Sequence, residues 1–191
     1  RPMSIKKFIL FVLLGIIGFG FYLYYRLGAH REVQVELAQT SEFHMIYKQH
    51  VGPYHKVNSV LEEVETWAEK NGIVCSTTVG EYLDDPKTVE EDRLRANVGC
   101  LLQTKNNINW SSLEEHSYKT VPAQKMVRVN FKGSPAIGPF TVYPEVESFA
   151  KDRGLDLQER NFEIYKLEDQ SLTTIYLFPL EKDTAHPNSS K

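Results

Sequence analysis

The hydrophobic and polar positions of the chain divide it into one continuous apolar run and a longer alternating part. Residues 8–25 read FILFVLLGIIGFGFYLYY, without a charged residue or a proline. As a helix, these 18 residues would rise about 27 Å, close to the thickness of a bilayer's hydrocarbon core. A cleaved signal peptide would have a shorter apolar segment ending in small residues. The pattern therefore predicts a membrane-spanning helix from Phe8 to Tyr25.

Basic residues lie on both sides of this run. Lys6 and Lys7 belong to a short stub at residues 1–7, and Arg26 belongs to a spacer at residues 26–32. The two lysines slightly favour a cytosolic N-terminus, because positively charged residues concentrate on the cytosolic side of a span. Both orientations stay open at this point.

After the spacer, the pattern predicts short strands and two helices. Val33 to Leu37 alternates apolar and polar residues, as expected for a half-buried strand. In residues 56–71 the apolar residues recur with helical spacing, and Gly72 provides a C-terminal stop. The pattern predicts a second helix at residues 141–153 and further strands at residues 43–48, 73–83, 94–103, 126–131, 162–167 and 173–180.

The predicted elements repeat a strand–helix–strand–strand order. The spacing from Gly72 to Glu81 equals that from Gly154 to Glu163, which indicates an internal repeat. One such unit cannot cover its own sheet, but two can bury their apolar faces together and leave a cleft. We therefore predict an α+β fold, with duplicated modules in one domain at residues 33–181, after one N-terminal transmembrane helix.

Two polar segments fall outside these modules. Residues 105–121 are predicted to link the halves, and residues 182–191 form a polar tail. Within the link, Asn109-Trp-Ser111 fits the glycosylation pattern of a secretory lumen. Trp110 to Leu113 resembles a motif read by autophagy adaptors, which would have to face the cytosol. The two interpretations are mutually exclusive.

Composition is that of a globular domain. The net charge of −3 and the absence of a basic block argue against nucleic acid as a partner. Cys75 and Cys100 are too few for a disulfide scaffold or a structural zinc site. We predict two buried free thiols, with one disulfide as the alternative for an oxidising compartment. The histidines lack metal-ligand spacing, and we predict neither a metal nor a cofactor.

Several segments resemble the GyrI-like effector-binding domains. They are YKQHVGPY at residues 47–54, GEYLDDP at residues 80–86, LRANVG at residues 94–99 and FEIY at residues 162–165. The resemblance spans about residues 33 to 181. It implies two strand–helix–strand–strand modules that form a pocket for small apolar or cationic molecules.

The resemblance implies three functions. The first, which we favour, is a membrane-anchored binding module that holds a small apolar or cationic ligand, or a protein partner. The order of anchor, spacer and domain is also similar to a membrane-anchored type in this family, the reticulophagy receptors, which implies a tethered adaptor. Some relatives hydrolyse strained small molecules, and here Glu163 and a tyrosine would form the acid–base pair.

Glu163 is the leading candidate for ligand binding, because by resemblance it matches the acidic residue of the family's pocket. An organic cation could compensate the cost of burying this acid, and aromatic faces could add cation–π attraction. Strand alternation leaves open whether Glu163 and Tyr165, or their neighbours Phe162 and Ile164, face inward. The aromatic residues that could line the cleft are Tyr47, Tyr54, Tyr82, Phe140, Tyr143 and Tyr165.

Overall fold

The computed structural model describes residues 4–30, 32–102, 115–168 and 171–181. It has three α-helices, α1 (Ile5–Leu27), α2 (Val57–Lys70) and α3 (Gly138–Arg153), within these ranges. The strands are β1 (Val35–Gln39), β2 (Phe43–Val51), β3 (Thr78–Tyr82), β4 (Arg95–Leu102), β5 (Ser117–Val121), β6 (Lys125–Lys132), β7 (Asn161–Glu168) and β8 (Ser171–Pro179).

Helix α1 contains the whole apolar run of residues 8–25 and continues beyond it at both ends. None of its residues is buried in the protein. It ends at Gly28, whose φ of 84° places it in the left-handed conformation that closes many helices. Among the described residues, α1 is the one helix long and apolar enough to cross a membrane, judged by length and composition.

The eight strands form one antiparallel sheet in the order β1-β6-β8-β7-β3-β4-β2-β5. Strands β3 and β7 pair at its centre. On one side of this pair the order is β3-β4-β2, and on the other side it is β7-β8-β6, so each half repeats the same three-strand arrangement. The predicted α+β fold with duplicated modules is therefore confirmed.

The prediction of a polar link over residues 105–121 was wrong at its C-terminal end. Residues 117–121 form β5, which pairs with β2 from Phe43↔Val121 to Tyr47↔Ser117. This strand is short and mostly polar because it occupies an edge of the sheet, where a long apolar strand would promote aggregation. The Asn109 and Trp110 motifs and the tail at residues 182–191 lie outside the described residues.

Both domain helices pack against one face of the sheet. Val64 and Ala68 of α2 contact Ile46 and Cys100, and all four side chains are fully buried. The corresponding residues of α3, Val142 and Val146, pack against β6 and β8. We call this side the helical face.

The opposite face is curved and forms its own apolar core. The rings of Phe43 in β2 and Phe162 in β7 lie 5.4 Å apart in an edge-to-face contact. Because β3 and β4 separate these two strands in the sheet, the contact requires the sheet to curl around this face. We call it the concave face.

The prediction of two free thiols was also wrong. Cys75, in the loop between α2 and β3, forms a disulfide with Cys100 of β4. Thr78 of β3 pairs directly with Cys100, so the start of β3 brings the preceding loop next to this residue. The bond joins positions 25 residues apart in the sequence, and this proximity could not be foreseen without the strand register.

The segments that resemble the family have structural roles. The Asp84 carboxylate accepts hydrogen bonds from the Arg95 guanidinium, at 2.6 and 3.0 Å, and from the Arg95 backbone N–H at 2.8 Å. These bonds fix the connection between β3 and β4. A Cβ atom at Gly99 would overlap with the carbonyl group of Ile46, so β2 and β4 can approach only with glycine there.

Candidate functional site

Glu163 lies on the helical face, in the central strand β7, with only 5% of its surface exposed. In the sheet it is opposite Gly80 of β3 on one side and Tyr176 of β8 on the other. Alternation along β7 directs Phe162 and Ile164 into the apolar core of the concave face. The expectation that one of the two pairs would face outward was therefore wrong, because Glu163 and Tyr165 lie beneath the helices while Phe162 and Ile164 are buried on the concave face.

Three tyrosines connect Glu163 to its surroundings. The Tyr165 hydroxyl donates to Glu163 Oε2 at 2.8 Å, and the Tyr143 hydroxyl donates to Oε1 at 3.2 Å. The Tyr82 hydroxyl lies 3.0 Å from that of Tyr165 and extends the network to β3. Tyr143 belongs to α3, so this helix both covers the carboxyl group and supplies one of its hydrogen bonds.

Burial dominates the ionisation of this cluster. It raises the pKa of Glu163 to about 7, and the hydrogen bonds from Tyr165 and Tyr143 oppose this increase only in part. Burial also raises the pKa of Tyr82, Tyr143 and Tyr165 above its ordinary value. Near neutral pH the tyrosines thus remain protonated donors, while Glu163 is present in both its neutral and its charged form.

Other polar groups beside Glu163 are buried without a hydrogen-bond partner among the described residues. They include the hydroxyl groups of Thr174 and Tyr176. The Asn161 amide lies close enough to favour the charged form of Glu163, yet its Nδ2 reaches no acceptor with hydrogen-bond geometry. Such groups are costly in an apolar interior, and they are common where a ligand or water completes the bonding.

The structure brings together most of the residues predicted from the sequence. Tyr54 lies at the edge of the cluster, because the centroid of its ring is 4.9 Å from that of Tyr82. Tyr47 lies on the concave face instead, where its ring is 4.9 Å from Lys119 Nζ. Phe140 is 82% exposed and points away from the cluster.

Three members of the cluster were missed by the sequence analysis: Asn161, Thr174 and Tyr176. Their strands were predicted, but their proximity to Glu163 depends on the register. The pairs are Tyr82↔Asn161, Tyr165↔Thr174 and Glu163↔Tyr176. The alternation within β8 indicated that Thr174 and Tyr176 lie on the same face of the sheet, but it did not indicate which face.

The equal spacing of the two glutamates is misleading. Glu81 is fully buried on the concave face, whereas Glu163 is buried on the helical face. Glu81 accepts a hydrogen bond from Asn97 at 2.6 Å and forms ion pairs with Lys119 and Arg160. The loops that follow α2 and α3 take different paths, so the same residue count reaches opposite faces of the sheet.

Glu163 itself is buried, whereas Tyr143 and Tyr165 beside it are partly exposed. Two hollows on the described surface, of about 590 and 290 Å³, lie beside α2 and between β1 and β6, and neither includes Glu163. Because Glu163 is 5% exposed, a ligand that contacts its carboxyl group must displace some of the side chains that cover it. Among the described residues, no group of three or more His, Cys, Asp or Glu side chains could hold a metal ion.

Several proteins of known structure have a similar fold. The C-terminal domain of EcmrR superimposes with a TM-score of 0.60 at 17% identity, covering 80% of this chain and 99% of that domain. EcmrR in its DNA complex gives a TM-score of 0.59 at 18% identity, over 94% of this chain and 69% of that one. A hydrolase from Listeria innocua gives 0.51 at 17% identity, over 78% and 92% of the two chains.

A DNA gyrase inhibitor of Pectobacterium carotovorum subsp. carotovorum (strain PC1) is 34% identical over 67 residues. This match covers 35% of the present chain and 42% of that relative, so the chain spans less than half of its length. The family model described as "GyrI-like small molecule binding domain" matches residues 33–181, which is most of the chain. The protein therefore belongs to the GyrI-like family.

Proposed function

We propose that this domain binds a small apolar organic cation at Glu163, and that α1 holds the domain at a membrane. The observation that carries the proposal is a carboxyl group with 5% exposure, enclosed by tyrosine rings and by hydroxyl groups that lack partners. Membership of a small-molecule-binding family supports it.

The chemistry of the cluster favours a cation with an apolar body. Burial without a counter-ion raises the free energy of the Glu163 carboxylate, and a bound positive charge would lower it. The faces of Tyr82, Tyr143 and Tyr165 would add cation–π attraction. Since no lysine or arginine contacts Glu163 among the described residues, the ligand would supply the positive charge.

The proposal can be tested by calorimetric titration with tetraphenylphosphonium. Triphenylphosphine oxide, which is neutral, serves as the matched uncharged control. We expect the native chain to bind the cation more tightly, and Glu163→Gln to remove that preference. Glu145→Gln removes the same charge from an exposed position of α3 and should have no effect. Equal binding of the cation by native and Glu163→Gln chains would refute the assignment.

A second candidate function is hydrolysis of a strained electrophile. It is favoured by a carboxyl group with a pKa of about 7, which can accept or donate a proton near neutral pH, in contact with the Tyr165 hydroxyl, which stays a hydrogen-bond donor. Turnover of small epoxides that is lost in both Glu163→Gln and Tyr165→Phe would establish it. Binding without any turnover would reject hydrolysis and leave ligand binding as the supported function.

The disulfide bears on the orientation of the anchor. Disulfides persist on the oxidising side of a membrane and are rare in the reducing cytosol. With Lys6 and Lys7 before α1, the Cys75–Cys100 bond favours a cytosolic N-terminus and a domain on the opposite side. A tethered adaptor that meets cytosolic autophagy proteins would need the reverse orientation, so we favour ligand binding.

Sealed vesicles with the cytosolic face outward provide the test. We expect a C-terminal epitope to be protected from protease until the membrane is opened. We also expect Cys75 and Cys100 to react with maleimide, after denaturation, only if a reductant has been added. A C-terminus digested in intact vesicles would reverse the orientation.

A further inference from the structure

The loop that precedes α3 is attached to the end of the membrane helix. The backbone N–H of Ser134 donates to the carbonyl oxygen of Leu27 at 3.0 Å. This carbonyl group lies in the last turn of α1, where carbonyl oxygens find no N–H donor within the helix. At Gly133 a Cβ atom would lie only 3.0 Å from the same oxygen, so the loop approaches α1 closely. If α1 spans a bilayer, residues 133–137 therefore lie at the membrane surface.

The strand register places a second segment at this end of the domain. Lys132, the last residue of β6, is aligned with Thr173, and Thr173 is aligned with Lys166. The β7–β8 hairpin, which continues beyond Lys166 through Leu167, thus ends at the same end of the sheet as Gly133. We call this the anchor end. Val51 lies at the opposite end, because it pairs with Arg95 at the start of β4.

The anchor end exposes large apolar side chains. Phe140, in the first turn of α3, is 82% exposed, and Leu167 is 74% exposed. No charged residue occurs from Gly133 to Pro144. Aromatic and aliphatic side chains with this exposure, next to the end of a span, match the composition of surfaces that enter the membrane interface.

The first half of the domain has a matched segment at the opposite end. Gly52-Pro53-Tyr54, which precedes α2, corresponds in sequence to Gly138-Pro139-Phe140, the first three residues of α3. The Tyr54 hydroxyl is held by the carbonyl groups of Asp84 and Arg95, at 2.8 and 3.1 Å. Phe140 lacks the hydroxyl and projects outward. The aromatic residue is thus tied into the domain at the end away from α1 and exposed at the end beside it.

The same segment forms a wall of the Glu163 cluster. A Cβ atom at Gly138 would overlap with the Tyr176 hydroxyl, which is one of the buried groups without a partner. Further along α3, Tyr143 donates its hydrogen bond to Glu163. Outward movement of the start of α3 would therefore uncover the carboxyl group on the side of the anchor end.

We infer that the anchor end rests on the lipid surface with Phe140 and Leu167 inserted, and that the Glu163 site opens toward the bilayer. Its ligand would then be a cation that partitions into the membrane and reaches the site from the lipid phase. This inference rests on the membrane anchor and ligand site proposed above, and it adds where the ligand comes from.

Tryptophan substitutions at exposed positions test the contact without disturbing the core. Phe140→Trp and Leu167→Trp probe the anchor end, and Val51→Trp, at a position 61% exposed, probes the other end. The full chain is placed in phosphatidylcholine nanodiscs, with and without bromine on the acyl chains, and the fluorescence of the unsubstituted chain is subtracted. We expect bromine to quench the two anchor-end variants at least about twofold more than Val51→Trp. Equal quenching in all three variants would overturn the inference.

A kinetic measurement tests the route of the ligand. In nanodiscs that contain tetraphenylphosphonium, Phe140→Asp should slow association at least about threefold, because a charge at this position resists insertion. In detergent solution, the same variant should bind at the native rate. Slowing of equal size in both media would overturn the membrane route.

The two proposals fail in different ways. If the anchor-end variants are quenched but the native chain binds no cation, the lipid contact stands and the ligand assignment falls. If Glu163-dependent binding persists while quenching is equal at both ends, the ligand assignment stands and the lipid contact falls.

Discussion

At the scale of single residues, the contrast between Glu163 and Asp84 shows how surroundings set the chemistry of an acid. Both side chains are buried, with 5% and 7% exposure. Asp84 lies against the guanidinium of Arg95, which lowers its pKa. Glu163 has only neutral donors, so burial prevails and its pKa rises to about 7. The first arrangement stabilises the fold, whereas the second leaves a destabilised carboxyl group, which is the group proposed to bind the ligand.

Glu163 should make the stability of the free protein fall as the pH rises. Its pKa is about 7 when folded and 4.5 as a free side chain, so between these values the folded state holds the proton that the unfolded state releases. The free energy of unfolding should therefore drop by up to about 3 kcal/mol from pH 4.5 to above pH 7. Urea unfolding in mild detergent at pH 5 and pH 8 should show a smaller drop for Glu163→Gln. Glu145→Gln, at an exposed site, should retain the native drop.

Asp84→Asn should have the opposite pH dependence. Because the pKa of folded Asp84 lies below the ordinary value of 3.8, its stabilisation is present above about pH 4 and is lost at lower pH. At pH 7 we expect the substitution to reduce the free energy of unfolding by about 1–3 kcal/mol. At pH 3 the difference from the native chain should shrink. Asp92→Asn, at an exposed position, is the control, and an equal loss there would contradict this role.

The sequence predicted the chemistry of these residues better than their positions. The acid, three of its tyrosine neighbours and the GEYLDDP segment were identified from residue type and resemblance. Tyr47 and Phe140 were placed in the cleft because aromatic type alone does not tell which face of a strand or helix a side chain occupies. Tyr176 and Asn161 were missed because cross-strand pairing is not encoded in any local pattern.

At the scale of elements, a buried ion pair adds to the backbone pairing with β2 that holds the edge strand β5. Its Lys119 extends across the concave face to Glu81 in β3. The carboxylate is 1% exposed, whereas the lysine side chain is 23% exposed. Removal of the lysine leaves the buried carboxylate with the Asn97 amide and the more distant Arg160, at 3.5 Å, whereas removal of the acid leaves cations that can still contact water.

Lys119→Met should accordingly be more destabilising than Glu81→Gln. We expect a loss of up to about 3 kcal/mol in the free energy of unfolding for Lys119→Met, since the buried carboxylate then keeps the more distant Arg160 as its counter-ion. The double variant should lose less than the sum of the two single losses, by at least about 1 kcal/mol. Lys125→Met, at an exposed position of β6, controls for loss of charge. Additive losses would show that Lys119 and Glu81 act independently.

The elements themselves were largely readable from periodicity. Helix α1 and the amphipathic α2 have strong local signals, and their predicted bounds differ from the structure by only a few residues. Strand β5 gave no such signal, because Ser117–Val121 is short and polar and is stabilised by pairing with β2. The disulfide was missed for a related reason, since only the register of β3 and β4 brings Cys75 to Cys100.

At the scale of the whole molecule, the two halves divide their tasks unequally. Strands β3 and β7 meet at the centre, and β7 of the second half supplies the acid. The second half also supplies α3, which covers the acid and begins beside α1. The proposed ligand access, the proposed anchor and the ionisable group therefore lie on connected elements. If α3 opens to admit the ligand, the free energy of opening subtracts directly from the affinity.

This arrangement predicts that cation binding and proton release are coupled. Below pH 7 the free site holds a proton on Glu163, and a bound cation must displace it because both compensate the same carboxylate. The dissociation constant of tetraphenylphosphonium should rise about tenfold for each pH unit below 7 and level off above it. Calorimetry in two buffers of different ionisation enthalpy should detect close to one proton released per cation at pH 6. Tyr165→Phe should move the midpoint to higher pH, because it removes a hydrogen bond to the charged form. An affinity that is constant from pH 5.5 to pH 8 would mean that the cation binds elsewhere, whatever the state of α3.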